Sequence, residues 1–181
     1  SDFSNDKAFL IFGSNEIDHL TTETSTDLPT DFKRRINRQW KVQKTGNIDK
    51  IHLKFDGFGS IWQVLVSSSE NFSSATSYDL GEDGITTSSV TSLNNGDYIT
   101  LATDFHIWEG NESTDWGDQS NWYNSDAPSA NSKVLIPANS DYYPSVALGV
   151  TVSSIIMKSG SSLVTKDATS FSPTVTYERS L

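Results

Sequence analysis

Residues 51–66, IHLKFDGFGSIWQVLV, decide the fold class of this chain. Every second residue from Ile51 to Phe55 is apolar and the residues between them are polar, which is the period of a half-buried β-strand. The sequence GFG at 57–59 ends this strand, and the continuous apolar run at 61–66 predicts a second strand that lies in a core. The stretch therefore predicts β structure on both sides of a turn.

Similar signals occur on both sides of this stretch. Residues 8–12 form a short apolar run that predicts a buried strand, and residues 34–44 alternate so that Trp40 lies on the apolar face. Further strands are predicted at 85–93 and at 98–102, each next to a turn signal. Six or seven strands in about 100 residues, joined by closely spaced turns, indicate an antiparallel β-sandwich.

The character of the sequence changes near Phe105. Three tryptophans follow close together, and the residues between them are mostly Gly, Asn, Asp and Ser. Short strands separated by Pro and Gly are predicted after them, at 133–136, 150–157, 162–165 and 174–177. We therefore expect an all-β chain with a β-sandwich module at 1–105 and a smaller tryptophan-containing β module at 106–181. Four short strands barely cover one sheet face, so we expect the second module to be truncated.

Composition argues against several classes of protein. The net charge of −10 over 181 residues disfavours nucleic acid as a partner, because an acidic surface repels phosphate. No apolar run approaches the ~20 residues of a membrane-spanning helix, so we expect no membrane insertion. The chain has no cysteine, which excludes disulfides, thiolate metal sites and cysteine nucleophiles.

Two stretches resemble repeat-rich, adhesin-like surface proteins of Bacteroidetes, many of which are exported by the type IX secretion route. The first is RRINRQWKVQKTGNIDKIHLKFD at 34–56, and the second is IWEGNESTDWGDQSNWYNSDAPSANSKVLIPANSDYYPSV at 107–146. The second stretch, with its Asp-Trp and Asn-Trp pairs followed by V-L-I-P, is similar to a module that leads into a strand-rich layer in those proteins. The resemblance implies an internal fragment of a secreted or cell-surface protein, with a structural or adhesive role.

No constellation of catalytic residues is visible, so we expect that the chain is not an enzyme. The histidines His19, His52 and His106 are far apart and stand in no metal-binding motif, and each is predicted to be solvated or hydrogen-bonded. The G-x-S-x-G sequence of a nucleophile elbow is missing. Neighbouring carboxylates in a turn do not span the ~5–9 Å across a sugar ring that glycosidases use.

Calcium is the cofactor that the acidic loops favour, because Ca²⁺ takes oxygen ligands that loops can supply without regular spacing. Two loops hold the candidate ligands, which are Glu109, Asn111, Asp115 and Asp118 in one and Asp79, Glu82 and Asp83 in the other. Neither loop follows the EF-hand order. Solvated turns account for the same residues and remain the alternative.

Aromatic residues in polar loops are candidates for stacking against sugar rings. They are Trp116, Trp122, Tyr123, Tyr142 and Tyr143, and nearby Asn and Asp side chains would bond sugar hydroxyls. The alternative is that both tryptophans are core residues that fix a long loop onto the sheet.

These observations predict a non-catalytic structural or adhesive module located outside the cell or on its outer surface. A carbohydrate-binding module attached to a polysaccharide-active protein is the alternative function. The expected partners are a cell-surface or extracellular ligand such as a glycan, and neighbouring domains of the same polypeptide.

Overall fold

The computed structural model describes residues 8–15, 22–23, 26–147, 149–166 and 174–178. Regular structure in these residues is almost entirely β, with two 3₁₀ turns at Gln119–Asn121 and Tyr123–Ser125, so the all-β prediction is confirmed. The chain divides into two compact units, Ser1–Asp104 (unit 1) and Phe105–Leu181 (unit 2). Within the described ranges, no helix has the length and apolar character needed to cross a membrane.

Unit 1 is organised on one antiparallel sheet of seven strands. The strands are β1 (Phe9–Ser14), β2 (Thr22–Glu23), β3 (Arg34–Ile36), β4 (Trp40–Thr45), β5 (Gln63–Ser67), β6 (Thr76–Asp79) and β7 (Tyr98–Thr103). β7 is central, since it pairs with β5 on one side and with β4 and β3, end to end, on the other. β1 extends the sheet beyond β4, β2 beyond β3, and β6 beyond β5.

The break between β3 and β4 divides the strand predicted at 34–44 into two. Opposite this break lies Thr100 of β7, which is completely buried. Its hydroxyl donates to the carbonyl oxygen of Arg38 at 2.9 Å and lies 3.4 Å from that of Ile36. A buried carbonyl without a partner costs about 1–3 kcal/mol, so this hydroxyl replaces a backbone contact where the ladder is interrupted.

Both faces of the central strands are buried. Val64 and Val66 of β5 join a large apolar core on one face, whereas Leu65 joins a smaller core with Phe72 on the other. In β7 the residues alternate between the same two cores, and Leu101 belongs to the large one. Burial on both sides explains why these strands are continuous apolar runs rather than alternating ones.

The layer over the large core consists of segments joined by isolated bridges rather than a regular sheet. Ile51 pairs with Val90, and Lys54 pairs with Ile85. Burial alternates here as the sequence predicts, with Leu53 buried and Lys54 exposed. The prediction of regular strands at 51–55 and 85–93 is nevertheless wrong, because these segments pair only through isolated bridges. Alternation of apolar and polar residues shows which face of a segment is buried, but it does not show over how many residues a neighbouring segment pairs with it.

The prediction that residues 8–12 are buried is also wrong. In β1, Phe9 is 39% exposed, Ile11 53% and Phe12 38%. The strand lies at an end of the strand order, with β4 as its neighbour, so its apolar side chains are not enclosed between two strands. An apolar run identifies a strand here, but it does not identify the position of that strand in the sheet.

Unit 2 is built from parallel strands. They are β8 (Phe105–Ile107), β9 (Lys133–Ile136), β10 (Ser145–Val146), β11 (Ser154–Lys158), β12 (Val164–Thr165) and β13 (Thr174–Glu178). One sheet has the order β13-β11-β9-β8, and every pairing in it is parallel. A second ladder joins Asp115, Ser145 and Val164, also in parallel.

The two ladders alternate along the chain, which is the arrangement of successive coils in a β-solenoid. Equivalent positions of neighbouring coils stack directly, so that Val134 lies opposite Ile155 and Ile136 opposite Met157. All four of these side chains belong to the core of unit 2. The small module predicted at 106–181 is therefore β-rich as expected, and its pairing direction is a finding of the structure.

Candidate functional site

The three tryptophans after Phe105 form the centre of the unit 2 core. Trp108, Trp116 and Trp122 are all buried, and their ring centroids lie 4.8 to 6.4 Å apart. The Nε1 of Trp108 donates to the carbonyl of Tyr142 at 2.7 Å, and that of Trp122 donates to the carbonyl of Trp116 at 2.9 Å. Trp116 and Trp122 therefore present no face for a sugar, and the core alternative describes them.

The loop around these indoles is held by Asn121, which is completely buried. Its Oδ1 accepts from the backbone N–H groups of Glu112 at 3.0 Å and Ser113 at 2.9 Å. Its Nδ2 donates to Ser113 Oγ and to the carbonyl of Asp115, both at 3.0 Å. One amide side chain thus makes four hydrogen bonds that fix the loop.

The three predicted sugar-stacking tyrosines do not form a row of exposed rings. Tyr142 is 47% exposed, whereas Tyr123 and Tyr143 are partly buried. The Tyr143 hydroxyl accepts from Asn139 N and donates to Gly160 O, each at 3.0 Å, which gives it a role within the fold. Of the five aromatic candidates, Tyr142 is the most exposed.

The predicted calcium ligands mostly bond within their own turns. Asp115, Asp118 and Asp83 each accept a backbone N–H two residues further on at 3.0 Å, and Glu109 accepts from the Asn111 side chain at 3.2 Å. Asp79 and Glu82 are exposed. No group of three or more His, Cys, Asp or Glu side chains converges on one point in the described part of the chain. Calcium binding stays a prediction.

Ser132, His106 and Asp126 meet in an order that resembles the triad of serine hydrolases. The His106 Nε2 lies 2.9 Å from Ser132 Oγ, and its Nδ1 lies 2.8 Å from the carbonyl oxygen of Asp126 but 3.5 Å from the carboxylate. Ser132 is only 9% exposed, and its Oγ also accepts from Ser129 N at 2.9 Å. A nucleophile must reach its substrate, and Ser132 is buried. We therefore assign this cluster a structural role, in which it holds the loop before β9 against His106 of β8.

His52 bonds to neighbouring groups of unit 1 and not to a cluster of chemically active side chains. His52 is exposed, with Nδ1 2.7 Å from the carbonyl oxygen of Thr86 and Nε2 3.2 Å from Ser89 Oγ. His19 lies outside the described residues.

A cavity of about 360 Å³ opens on unit 1, and we term it the aromatic groove. Its apolar wall is formed by Phe12, Trp40, Leu53, Phe55, Phe58 and Ile99. Trp40 and Phe55 are half-buried, and their ring centroids lie 5.3 Å apart at an interplanar angle of 51°. The two rings therefore form a bent surface rather than a stacked pair.

Charged side chains complete the lining of the aromatic groove. They are Arg38, Lys54 and Asp56. Lys54 Nζ lies 3.1 Å from Asp56 Oδ1, and these side chains are 58% and 89% exposed. The groove thus combines aromatic rings with both hydrogen-bond donors and acceptors, which is typical of small-molecule sites.

Sequence reasoning did not find this groove, because its rings come from separate segments that each have a core-like pattern. Phe12 lies on β1, Trp40 on β4, and Phe55 and Phe58 on the segment that leads into β5. The one local signal was the GFG turn, which puts a phenylalanine between two glycines.

Comparison with known proteins identifies the first part of the chain. The family model described as "Domain of unknown function (DUF8202)" matches residues 1–105. No curated protein and no solved structure matches the chain. The match spans more than half of the sequence and ends one residue beyond unit 1. The chain therefore belongs to the DUF8202 family.

Proposed function

We propose that this chain is a non-catalytic structural or adhesive module of a bacterial cell-surface or secreted protein. The observation that carries the proposal is the parallel, in-register ladder of unit 2. Along it Phe105 lies opposite Lys133, Lys133 opposite Ser154, and Ser154 opposite Thr174. The second ladder pairs Asp115 with Ser145 and Ser145 with Val164, so its steps along the chain are of nearly the same length as those of the first ladder.

Such a ladder suits a scaffold for a physical reason. Each coil of a solenoid contacts only its neighbours, so length is gained by adding coils without redesigning a core. The buried indoles of Trp108, Trp116 and Trp122 fill the interior of unit 2 beside β9. Smaller side chains at these positions would leave cavities in the core. Unit 2 uses its loops for rigidity, as the four hydrogen bonds of Asn121 illustrate.

An extracellular or outer-surface location is supported by the resemblance to exported surface proteins over residues 34–56 and 107–146.

The test is surface exposure on the bacterium that encodes the protein. An antibody raised against this chain should label intact cells or the culture medium, and brief protease treatment of intact cells should remove the cell-bound signal. Labelling that requires lysis, with full protection from protease before lysis, would contradict the proposal. An outer-membrane protein of known exposure and a cytoplasmic enzyme serve as the two controls.

Calcium has its own test. A thermal melt with and without millimolar Ca²⁺ should show a higher Tm in the presence of the ion if the acidic loops bind it, because a ligand that binds only the folded state stabilises it. Mg²⁺ at the same concentration controls for ionic strength. An unchanged Tm would dispose of the calcium prediction and leave the structural proposal intact.

A further inference from the structure

We propose that the aromatic groove of unit 1 is a carbohydrate-binding site, in which a sugar ring packs against Trp40 and Phe55. This site differs from the tyrosines and tryptophans that the sequence nominated, all of which lie in unit 2. The inference goes beyond the structural role of unit 2 and does not depend on it.

The apolar wall of the groove matches the carbon face of a pyranose. Trp40 and Phe55 are half-buried, so each ring is held in place by the core while part of it faces the groove. The 51° angle between them gives two differently inclined surfaces, and Phe12 closes the wall from the neighbouring strand. Rigid aromatic rings of this kind provide contact area at low cost in conformational entropy.

The charged lining matches the hydroxyl edge of the same ring. Asp56 accepts hydrogen bonds from hydroxyl groups, and Lys54 and Arg38 donate to them. The ion pair of Lys54 and Asp56 is largely exposed, so it is weak and exchanges easily for contacts with a ligand. A purely apolar ligand would displace water from Lys54 and Asp56 without offering them hydrogen bonds, whereas a sugar contacts the rings and bonds these charges together.

The size of the groove sets the length of the ligand. Its volume of about 360 Å³ lies at the low end of the ~300–1,000 Å³ of small-molecule sites, which is room for one or two sugar rings. We therefore expect recognition of a short part of a glycan rather than a long chain.

Strand β1 offers a matched pair of variants for the test. Phe12 and Phe9 lie on the same strand and are 38% and 39% exposed, but Phe12 lines the groove and Phe9 does not. Because side chains alternate along a strand, the two rings point to opposite faces of the sheet. Phe12→Ser and Phe9→Ser therefore remove the same amount of exposed aromatic surface from different places.

The experiment titrates the intact chain with short oligosaccharides of glucose, xylose, mannose and galacturonic acid to millimolar concentration. Tryptophan fluorescence and the ¹⁵N–¹H signal of the Trp40 indole are the readouts. We expect saturable binding of at least one sugar with a shift of the Trp40 signal. Phe12→Ser should weaken that binding about fivefold to tenfold, which is the effect of losing one aromatic contact, while Phe9→Ser leaves it unchanged. Asp56→Asn, at an exposed position that does not endanger the fold, should weaken it by about threefold.

Three outcomes would overturn the inference. One is that no sugar of the panel changes the tryptophan fluorescence or the Trp40 indole signal. Another is binding that both phenylalanine variants weaken equally, which would place the site elsewhere. The third is sugar-independent self-association in sedimentation that Phe12→Ser abolishes, which would make a second copy of this chain the occupant of the groove.

Discussion

Replacing Asn121 by alanine should strongly destabilise unit 2. The wild-type amide is completely buried and makes four hydrogen bonds, two of them from the backbone N–H groups of Glu112 and Ser113. Each bond contributes about 1 kcal/mol net, so the loss of four bonds should cost about 4 kcal/mol. This corresponds to about 16–32 °C in Tm for a unit of this size.

The measurement is a thermal melt followed by the fluorescence and near-UV circular dichroism of the indole cluster. A Trp40→Phe, Trp62→Phe background leaves Trp108, Trp116 and Trp122 as the reporters, and all three belong to unit 2.

The matched control for this prediction is Asn111→Ala in the same loop. Asn111 is exposed, and its amide donates to Glu109 Oε2 at 3.2 Å. We expect this variant to change the free energy of unfolding by less than about 0.5 kcal/mol. If Asn121→Ala costs no more than Asn111→Ala, the argument that the Asn121 amide organises the loop is refuted.

Three further predictions concern other buried contacts. Gly110 has a φ of +63°, and a Cβ there would collide with the carbonyl oxygen of Tyr142. In a urea titration, Gly110→Ala should therefore lower the free energy of unfolding of unit 2 by more than about 3 kcal/mol. The control is Gly160→Ala, at φ +90° in open space, which should cost only about 1 kcal/mol. Asp27 accepts two bonds at 3.2 Å from the buried guanidinium of Arg35. In calorimetry, Asp27→Ala should destabilise unit 1 by about 3 kcal/mol, because it leaves the guanidinium charge buried without this partner. The double change Asp27→Leu with Arg35→Met should cost less, and equal losses would argue against a penalty for the buried charge. His106→Leu should cost unit 2 about 2 kcal/mol in the same calorimetry, because it removes the bonds to the Asp126 carbonyl and to Ser132. A loss below about 0.5 kcal/mol would argue that these bonds do not stabilise the unit.

The sequence predicts the strands of unit 1 best where both faces of a strand are buried. The runs at 61–66 and 98–102 correspond to β5 and β7, which are apolar on both faces because both faces are covered. Residues 8–12 have the same appearance but lie at the edge of the sheet. Position within a sheet depends on contacts far along the chain, and a local run does not contain that information.

Unit 2 shows a second kind of limit. The apolar runs of β9 and β11 would look the same in parallel and antiparallel sheets, so the direction of pairing could not be predicted from them. The sequence predicts strands at 133–136, 150–157, 162–165 and 174–177, but the stacking of Lys133, Ser154 and Thr174 in one parallel ladder is seen only in the structure. The aromatic groove could not be predicted, since Phe12, Trp40 and Phe55 become neighbours only when the sheet has formed.

The central place of β7 has a consequence for the timing of folding. This strand is the last of its sheet to be synthesised, yet β3, β4 and β5 all require it as a partner. Until residue 103 has left the ribosome, the earlier strands can form only the β1–β4, β2–β3 and β5–β6 pairs, which are marginal by themselves. The strands that precede β7 therefore cannot complete their sheet until β7 emerges, so unit 1 folds late in its own synthesis.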